Sequence, residues 1–410
     1  MDKTYILSVP EEYQGLAREI SMVSGKIYSK AVNFFKRIQT KGINVSRKTF
    51  DQYMEWWLHQ KSFKLHSQSK QAAYQQFWTA YQAYLKRLQK AKEKGQDTSK
   101  IRPPFRNKKY NKVVFKKSAI HFKDGDLILS NGKEQAPMVI KGCCLKGAPK
   151  YAELIFHQDK KKYYLHIVVE VEEGKIENTA GVMAIDLGVI HPMVCFDGRE
   201  VLIYNGGILN SKIRYRNKKL GEFQQKLSKC QKDSRKFKEL LRAKREVLRR
   251  VNNQIRDVLE KYTSYLVGYC IKNGIGTIVL GDLKGIRNGA RHGKVPNQKI
   301  HQWMFRRVAR RIEEKAEFVG IEVKFIKENG TSQSCPVCGS KNKPENRNYE
   351  CKSCGFRYHR DGVGAINIYR KYTGSLSLVV GLLACPTGVR YTPHLCCPIE
   401  WNIHPVGKTA

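Results

Sequence analysis

The chain is short of acid and has no long apolar run. Only 36 Asp and Glu stand against 76 Lys and Arg, a formal charge of +40 over 410 residues. That imbalance is far beyond what solubility requires and points to a polyanionic partner. With no run of about eighteen apolar residues, a membrane-spanning helix is excluded as the reason for the positive charge. No charged-then-apolar leader opens the chain, so a cytoplasmic protein, nucleoid-associated when bound to DNA, is expected. A disulfide framework is missing too: of twelve cysteines, Cys143, Cys144, Cys195, Cys230, Cys270, Cys385, Cys396 and Cys397 show no framework spacing, as in reduced cytoplasmic thiols. Lys and Arg recur in nearly every segment, interleaved with Tyr, Trp and Phe. This pattern implies a folded protein lined with phosphate-binding channels rather than one basic tail. The length allows roughly three domains.

The remaining four cysteines form Cys335-Pro-Val-Cys338 and Cys351-Lys-Ser-Cys354, with twelve residues between the pairs. Each pair makes a tight knuckle, and two knuckles converge four thiolates on one tetrahedral ion, a structural zinc. Reduced core cysteines are the alternative, and the surrounding Lys, Asn and Arg argue against it. Asp361 follows directly, and a second aspartate, Asp186, sits in Ala184-Ile-Asp-Leu-Gly188. Taken alone, Asp186 reads equally well as a solvated strand-end acid. Because four thiolates already close a zinc site, His359 is assigned to packing or nucleic-acid contact.

Along the chain, residues 4–9 form a short strand stopped by Pro10. Helical spacing runs from about 11 to 95, most clearly at Tyr74, Phe77, Trp78, Tyr81, Tyr84, Leu85 and Leu88, an aromatic stripe better explained as core than as a base-stacking surface. Between Pro103 and Glu172 the period becomes two, which predicts a small antiparallel barrel that strand 4–9 joins, with the helices inserted. Strands at Val182–Asp186, Pro192–Phe196 and Val201–Tyr204 resemble the start of a ribonuclease H type sheet. A charged helical pair follows at about 209–273, then the strand Thr277–Leu280, a basic loop from Lys284 to Lys299, a helix near His301–Phe318 and the strand Ile321–Ile326. The order βββαβαβ is α/β with a mixed sheet. Asp361–Tyr372 reads as a last helix, and the tail from 373 as irregular or disordered.

Asp186 in Ala-Ile-Asp-Leu-Gly, the stretch from Trp303 through Glu328-Asn-Gly-Thr-Ser-Gln-Ser-Cys335, the second CxxC, and His359-Arg-Asp361 with Asn367 together resemble the TnpB family. These are transposon-encoded RNA-guided DNA nucleases related to miniature type V CRISPR effectors. The resemblance covers nearly the whole chain. It implies a wedge β-barrel at 1–10 and 100–172, a helical recognition domain at 11–95, a RuvC-like nuclease domain at 180–330 and 359–372, a zinc ribbon at 331–358 and an irregular tail at 373–410. It also implies a guide RNA encoded near its own gene, double-stranded and single-stranded DNA as target, and magnesium at the catalytic acids. Arg106 and Lys108, in Pro103-Pro-Phe-Arg-Asn-Lys108, look like the family's basic entry into the barrel. The helices around Trp56, Trp57 and Lys70 to Tyr81 would hold target duplex. Gln71 and Gln75, four apart on one helix face, are positioned to read adenines beside the target, plain solvated glutamines being the ordinary alternative.

One position departs from the family. The usual second acid, a Glu just before Asp-Leu on the fourth strand, is glycine here, in Leu280-Gly281-Asp282-Leu283. Two divalent ions about 3.5 to 4 Å apart need three carboxylates to bridge them. Glu328, at the end of the neighbouring fifth strand, is expected to take over, because adjacent strands lie only about 4.8 Å apart. Asp282 is the second candidate, but alternation points it away if Gly281 faces the site. The expected set is Asp186, Glu328 and Asp361 on magnesium, which prefers oxygen ligands, with Arg360 and Lys327 near the phosphate. A nuclease-inactive RNA-guided repressor competes with this reading through Gly281. A strand-joining transposase comes last, since no tyrosine nucleophile in a His-rich context stands out.

Overall fold

The computed structural model describes residues 2–133, 135–145, 147–158, 160–171, 179–282, 293, 297–298, 300, 303–327, 331, 333–342, 344, 346–374, 383–392 and 399–402. The chain divides into two compact units, Met1–Glu172 and Glu173–Ala410. No helix among the described residues is long and apolar enough to cross a membrane.

In the first unit, β1 (Asp2–Ser8), β7 (Lys162–Glu170), β6 (Ala148–His157) and β2 (Val113–Lys116) form an antiparallel sheet in that spatial order. A second antiparallel sheet holds β3 (Ile120–Lys123), β4 (Asp126–Leu129) and β5 (Met138–Ile140). Where a small barrel was expected, the described residues show two ladders, which part at the 3-10 turn Lys117–Ala119 between β2 and β3. Both sheets close on one core containing Phe115, Leu127, Leu129, Leu154, Leu165 and Ile167.

Between β1 and β2 the chain forms α1 (Gln14–Gln39), α2 (Arg47–His59) and α3 (Ser67–Glu93). The Ser46 hydroxyl starts α2 by accepting the Thr49 N–H, which satisfies an end group the helix cannot. Phe35, Phe50, Tyr74 and Phe77 are buried together, and Trp78 stacks on Phe50 with ring centroids 5.3 Å apart, so most of the aromatic stripe is core. Along α1 small and hydroxylated residues face the connector that leads to β2. Ser21 Oγ donates to Asn111 O, Ser24 Oγ to Lys112 O and Ser29 Oγ to Lys108 O. Gly25 permits this approach, since a Cβ there would lie 2.5 Å from Lys109 O.

In the second unit a seven-stranded sheet has the order β12 (Glu322–Lys327), β11 (Ile275–Asp282), β8 (Gly181–Asp186), β9 (Val194–Phe196), β10 (Val201–Tyr204), β15 (Thr387–Arg390), β16 (Ile399–Asn402). The first hairpins, β8–β9–β10, are antiparallel, while β11 runs parallel to both β8 and β12. The two faces are sorted by alternation. Met183, Ile185, Ile278 and Leu280 pack against α5 (Arg235–Lys272) and α6 (Phe305–Phe318), whereas Ala184, Val279 and Ile326 pack under α7 (Arg360–Thr373). Val251, Ile255, Val258, Leu259, Tyr262 and Leu266 are the helical stripe that seats α5.

The tail expected to be irregular instead supplies two strands, β15 and β16, to the sheet. Val389 is fully buried, its carbonyl accepts Asn205 N–H at 2.8 Å, and the buried Tyr262 hydroxyl accepts Tyr391 N–H at 3.0 Å. These partners lie far away in sequence, so four residues of Thr-Gly-Val-Arg carry no periodic sign of them.

Two measurements check this packing. Gly25→Ala, ordinarily stabilising in a helix by up to about 1 kcal/mol, is expected here to cost about 1–3 kcal/mol in urea unfolding through overpacking. On α5, burial opposes ionisation of Glu260, but hydrogen bonds from Arg311 and from Lys315, whose Nζ lies 3.0 Å from Oε2, outweigh it and hold its pKa below the ordinary range. Stabilisation from a depressed acid is present above the unfolded pKa and is lost as pH falls through the folded one. Glu260→Gln should therefore cost about 1 kcal/mol near neutrality, after allowance for its partial exposure, and nothing once the wild-type acid is protonated.

Candidate carboxylate centre and metal site

Asp186 ends β8, and Asp361 lies in the first turn of α7, which packs across β8 and β11. Residues 361 and 364 share a helix face. At 364 a Cβ would overlap Asp186 Oδ2, so glycine is what lets the helix lie directly on this carboxylate. Asp186 is half-buried, and among the described residues no hydrogen bond reaches its carboxylate. Burial first, then the charge of Asp361, push its pKa up to about 7, against the opposing charges of Arg347 and Arg360.

Asp361 is treated differently by its surroundings. Burial again works against ionisation, but a 2.7 Å hydrogen bond to His191 Nδ1 and the charge of Arg347 hold its pKa below the ordinary range. The Arg347 guanidinium bonds both of its oxygens. His359, at the helix N-cap, is buried with Nδ1 unpartnered, and burial lowers its pKa to about 4, so it is neutral near pH 7. Its ring meets His191 edge-on at 5.4 Å. Two carboxylates brought together supply oxygen donors, and this donor set fits hard divalent cations.

Sequence alternation puts Asp282 away from whichever face Gly281 takes, and the packing of β11 puts Gly281 on this one. Val279 faces α7 while Ile278 and Leu280 face the other way. Asp282 lines a cavity of about 300 Å³ on the opposite face with Leu187, Phe305, Arg310 and Glu313. Glu328 lies outside the described residues. Lys327 precedes it, exposed, and its carbonyl accepts from Lys371 Nζ. Arg360 is half-buried, and its charge acts on Asp186.

The remaining sequence-predicted residues belong to the first unit. Lys70 is half-buried on α3, with its pKa lowered by burial; Gln71 lines a cleft with Glu55 and Tyr74, and Gln75 is half-buried one turn later. Tyr81 packs against Phe35 at 4.8 Å. Arg106 is exposed, whereas the Lys108 ammonium bonds Asn111 Oδ1 at 3.0 Å and sits 3.8 Å over the Tyr28 ring.

The four knuckle thiols meet as the spacing requires. Cys335 Sγ is 3.7 Å from Cys354 Sγ, Cys338 Sγ is 3.5 Å from Cys351 Sγ, and all four lie within 4.8 Å of one another. Tetrahedral zinc with Zn–S near 2.3 Å requires S···S near about 3.8 Å, so the cluster fits that ion. His359 is not part of it. A hairpin of β13 (Asn348–Glu350) and β14 (Arg357–His359) carries the second knuckle, delivers Arg347 to Asp361, and runs straight into α7. Neither His191 nor Arg347 was found from sequence. A histidine in a turn and an arginine in a basic loop have no spacing that marks them.

Comparisons with known proteins agree with this arrangement. A family model described as "Probable transposase" (OrfB_IS605) matches residues 166–287, and one described as "Cas12f1-like, TNB domain" matches residues 305–368. A TnpB-like protein of Methanocaldococcus jannaschii is 29% identical over 161 residues, 38% of this chain and 58% of that protein. The chain is thus similar to TnpB proteins across its second unit. A CRISPR-associated endodeoxyribonuclease Cas12f1 of Sulfoacidibacillus thermotolerans is 27% identical over 235 residues, 53% of this chain and 52% of that protein. The chain thus spans about half the length of these curated relatives. Its fold is that of Cas12f1 in a Cas12f1–sgRNA–target DNA complex, with a TM-score of 0.59 and 16% identity over 88% of this chain and 83% of that one.

If the thiol cluster is a zinc site, the purified chain should carry about one zinc by elemental analysis. Cys351→Ser should lose it and expose the 335–358 hairpin to limited proteolysis.

Proposed function

We propose that this protein is an RNA-guided DNA endonuclease of a transposable element, which hydrolyses target DNA beside a short adjacent motif. The observation that carries the reading is the meeting of Asp186 and Asp361, remote in sequence, at the end of β8 and the start of α7. Asp186, Asp361 and Glu328 would hold magnesium, which when bound activates water and stabilises the leaving oxygen, giving a 5′ phosphate and a 3′ hydroxyl. His191 and Arg347 orient the Asp361 carboxylate, and Arg360 adds positive charge beside Asp186. The support for Glu328 is the vacancy it would fill. Gly281 offers no side chain on the face under α7, its partner in the parallel register is Ile326, and a period of two assigns 328 to that same face.

In this reading residues 1–10 and 100–172 act as the wedge barrel, 11–95 as recognition helices, 180–330 and 359–372 as the RuvC-like domain and 331–358 as the zinc ribbon. The strand order β10-β9-β8-β11-β12 supports the RuvC assignment, since it begins on the acid-bearing hairpin expected of a ribonuclease H type sheet. A guide RNA encoded near the gene supplies sequence recognition, and the +40 chain supplies backbone binding. The complex of the structural relative, which contains RNA and target DNA, supports these partners. Gly281 favours one competing reading, a repressor that binds target without cutting.

Cleavage of target DNA by the purified protein with its co-purified RNA and magnesium separates the two. Glu328→Ala should reduce cutting by about a hundredfold or more while leaving target binding intact, and Asp282→Ala should cut normally. Normal cutting by Glu328→Ala would remove the relocated glutamate. Tight binding without cutting by the wild type would establish the repressor.

A further inference from the structure

Where α4 (Gly207–Ser228), α5 and the start of α6 meet, three arginines lie near one another with no acid of their own, Glu260 acting on Arg307 only by its charge. Arg216 of α4 and Arg307 of α6 each bring an Nη1 to the same sulfur, Met304 Sδ, at 3.8 Å. Their guanidinium groups are therefore neighbours, and a thioether is an uncharged, weak acceptor that cannot neutralise either. Arg216 otherwise bonds the neutral Asn217 Oδ1, and Arg256 of α5 bonds the neutral Asn253 Oδ1 at 3.1 Å. The nearby acid, Glu260, is already shared by Arg311 and Lys315. Among the described residues Arg216, Arg256 and Arg307 form no ion pair. The segment 283–302 that leads into α6 has five Lys or Arg and no Asp or Glu, so it brings no carboxylate either.

This arrangement works against the free protein. Burial, then the like charges of Arg256, Arg311 and Arg216, lower the pKa of the half-buried Arg307, and burial lowers that of Arg216. Half-buried charge without a counter-charge is destabilising. The first turn of α6 adds to the positive potential, because its N-cap residue, Met304, makes no side-chain capping bond. What the cleft lacks is an anion with several oxygens, which guanidinium forks bind two at a time.

We propose that Arg216, Arg256 and Arg307 form a phosphate-binding cleft that takes a backbone phosphodiester of a bound nucleic acid. The nucleic-acid part rests on the function proposed above; the anion site itself does not. Arg216→Gln/Arg307→Gln tests it against Arg235→Gln/Arg310→Gln, a control with the same charge change at two exposed positions. Arg256→Gln, at an exposed position, is a second test variant should the double variant fold poorly.

The full chain would be unfolded thermally in low salt with and without pyrophosphate. Its binding to an oligo(U) RNA and to a DNA duplex, each of about thirty nucleotides or base pairs, would be followed against salt concentration. Pyrophosphate should raise Tm for wild type and control but not for the double variant, whose own Tm without pyrophosphate should match or exceed that of the control. The log K against log salt slope should fall by about 2 relative to control for the polymer that occupies the cleft. A fall with RNA alone assigns the guide, and a fall with duplex alone assigns the target. An undiminished pyrophosphate response in the double variant overturns the cleft. A lost response with both slopes unchanged overturns its assignment to a nucleic-acid backbone. If the wild type binds neither polymer, the RNA-guided reading fails, while the pyrophosphate arm still decides the anion site.

Discussion

The second unit is organised around two carboxylates held together in a place that disfavours the charge of one and favours that of the other. Asp186 is closely covered on one side by α7 at Gly364, and Asp361 stays ionised because His191 and Arg347 bond it. Bringing like charges together costs free energy that only a cation nearby returns. The glycine, the helix start and the arginine all bear on these two carboxylates.

The thiol cluster is connected to the same carboxylates by a short path. Its hairpin supplies Arg347 from one side and passes directly into α7 on the other, so the geometry of the knuckles fixes both an ion partner of Asp361 and the helix that bears it. A metal bound there would therefore act on the carboxylates by position rather than by contact. The meeting of Arg216 and Arg307 at Met304 is its electrostatic opposite, a concentration of positive charge in which neither arginine has an ion pair among the described residues. Acid is scarce throughout this chain, and where it is present it is committed, as Glu260 is to Arg311 and Lys315.

Much of this was legible beforehand because it depends on local pattern. Paired CxxC spacing specifies convergence of four thiols, and they do converge. A period of two put Asp282 away from whichever face Gly281 takes, and the packing of β11 puts Gly281 under α7. The aromatic run from Tyr74 to Tyr81 is largely core, as helical spacing implied. Features made by residues distant in sequence were not legible. The tail strand at Thr387–Arg390 exists because β10 leaves an edge and Tyr262 leaves a hydroxyl for it, and the barrel strands separate into two ladders at a single short turn.

The sequence by itself determined the charge, the metal-ligand spacing, the periods of helix and strand, and the presence of an aspartate at the end of β8 and another at the start of α7. These follow from composition and from repeats of two to four residues, which the backbone geometry of one element enforces. Only the tertiary structure decided that His191 and Arg347 meet Asp361, that Gly364 admits the helix to Asp186, and that Arg216 and Arg307 of separate helices meet at Met304. Those contacts join segments whose separation along the chain carries no pattern, and they arise from packing the helices on the sheet and on one another.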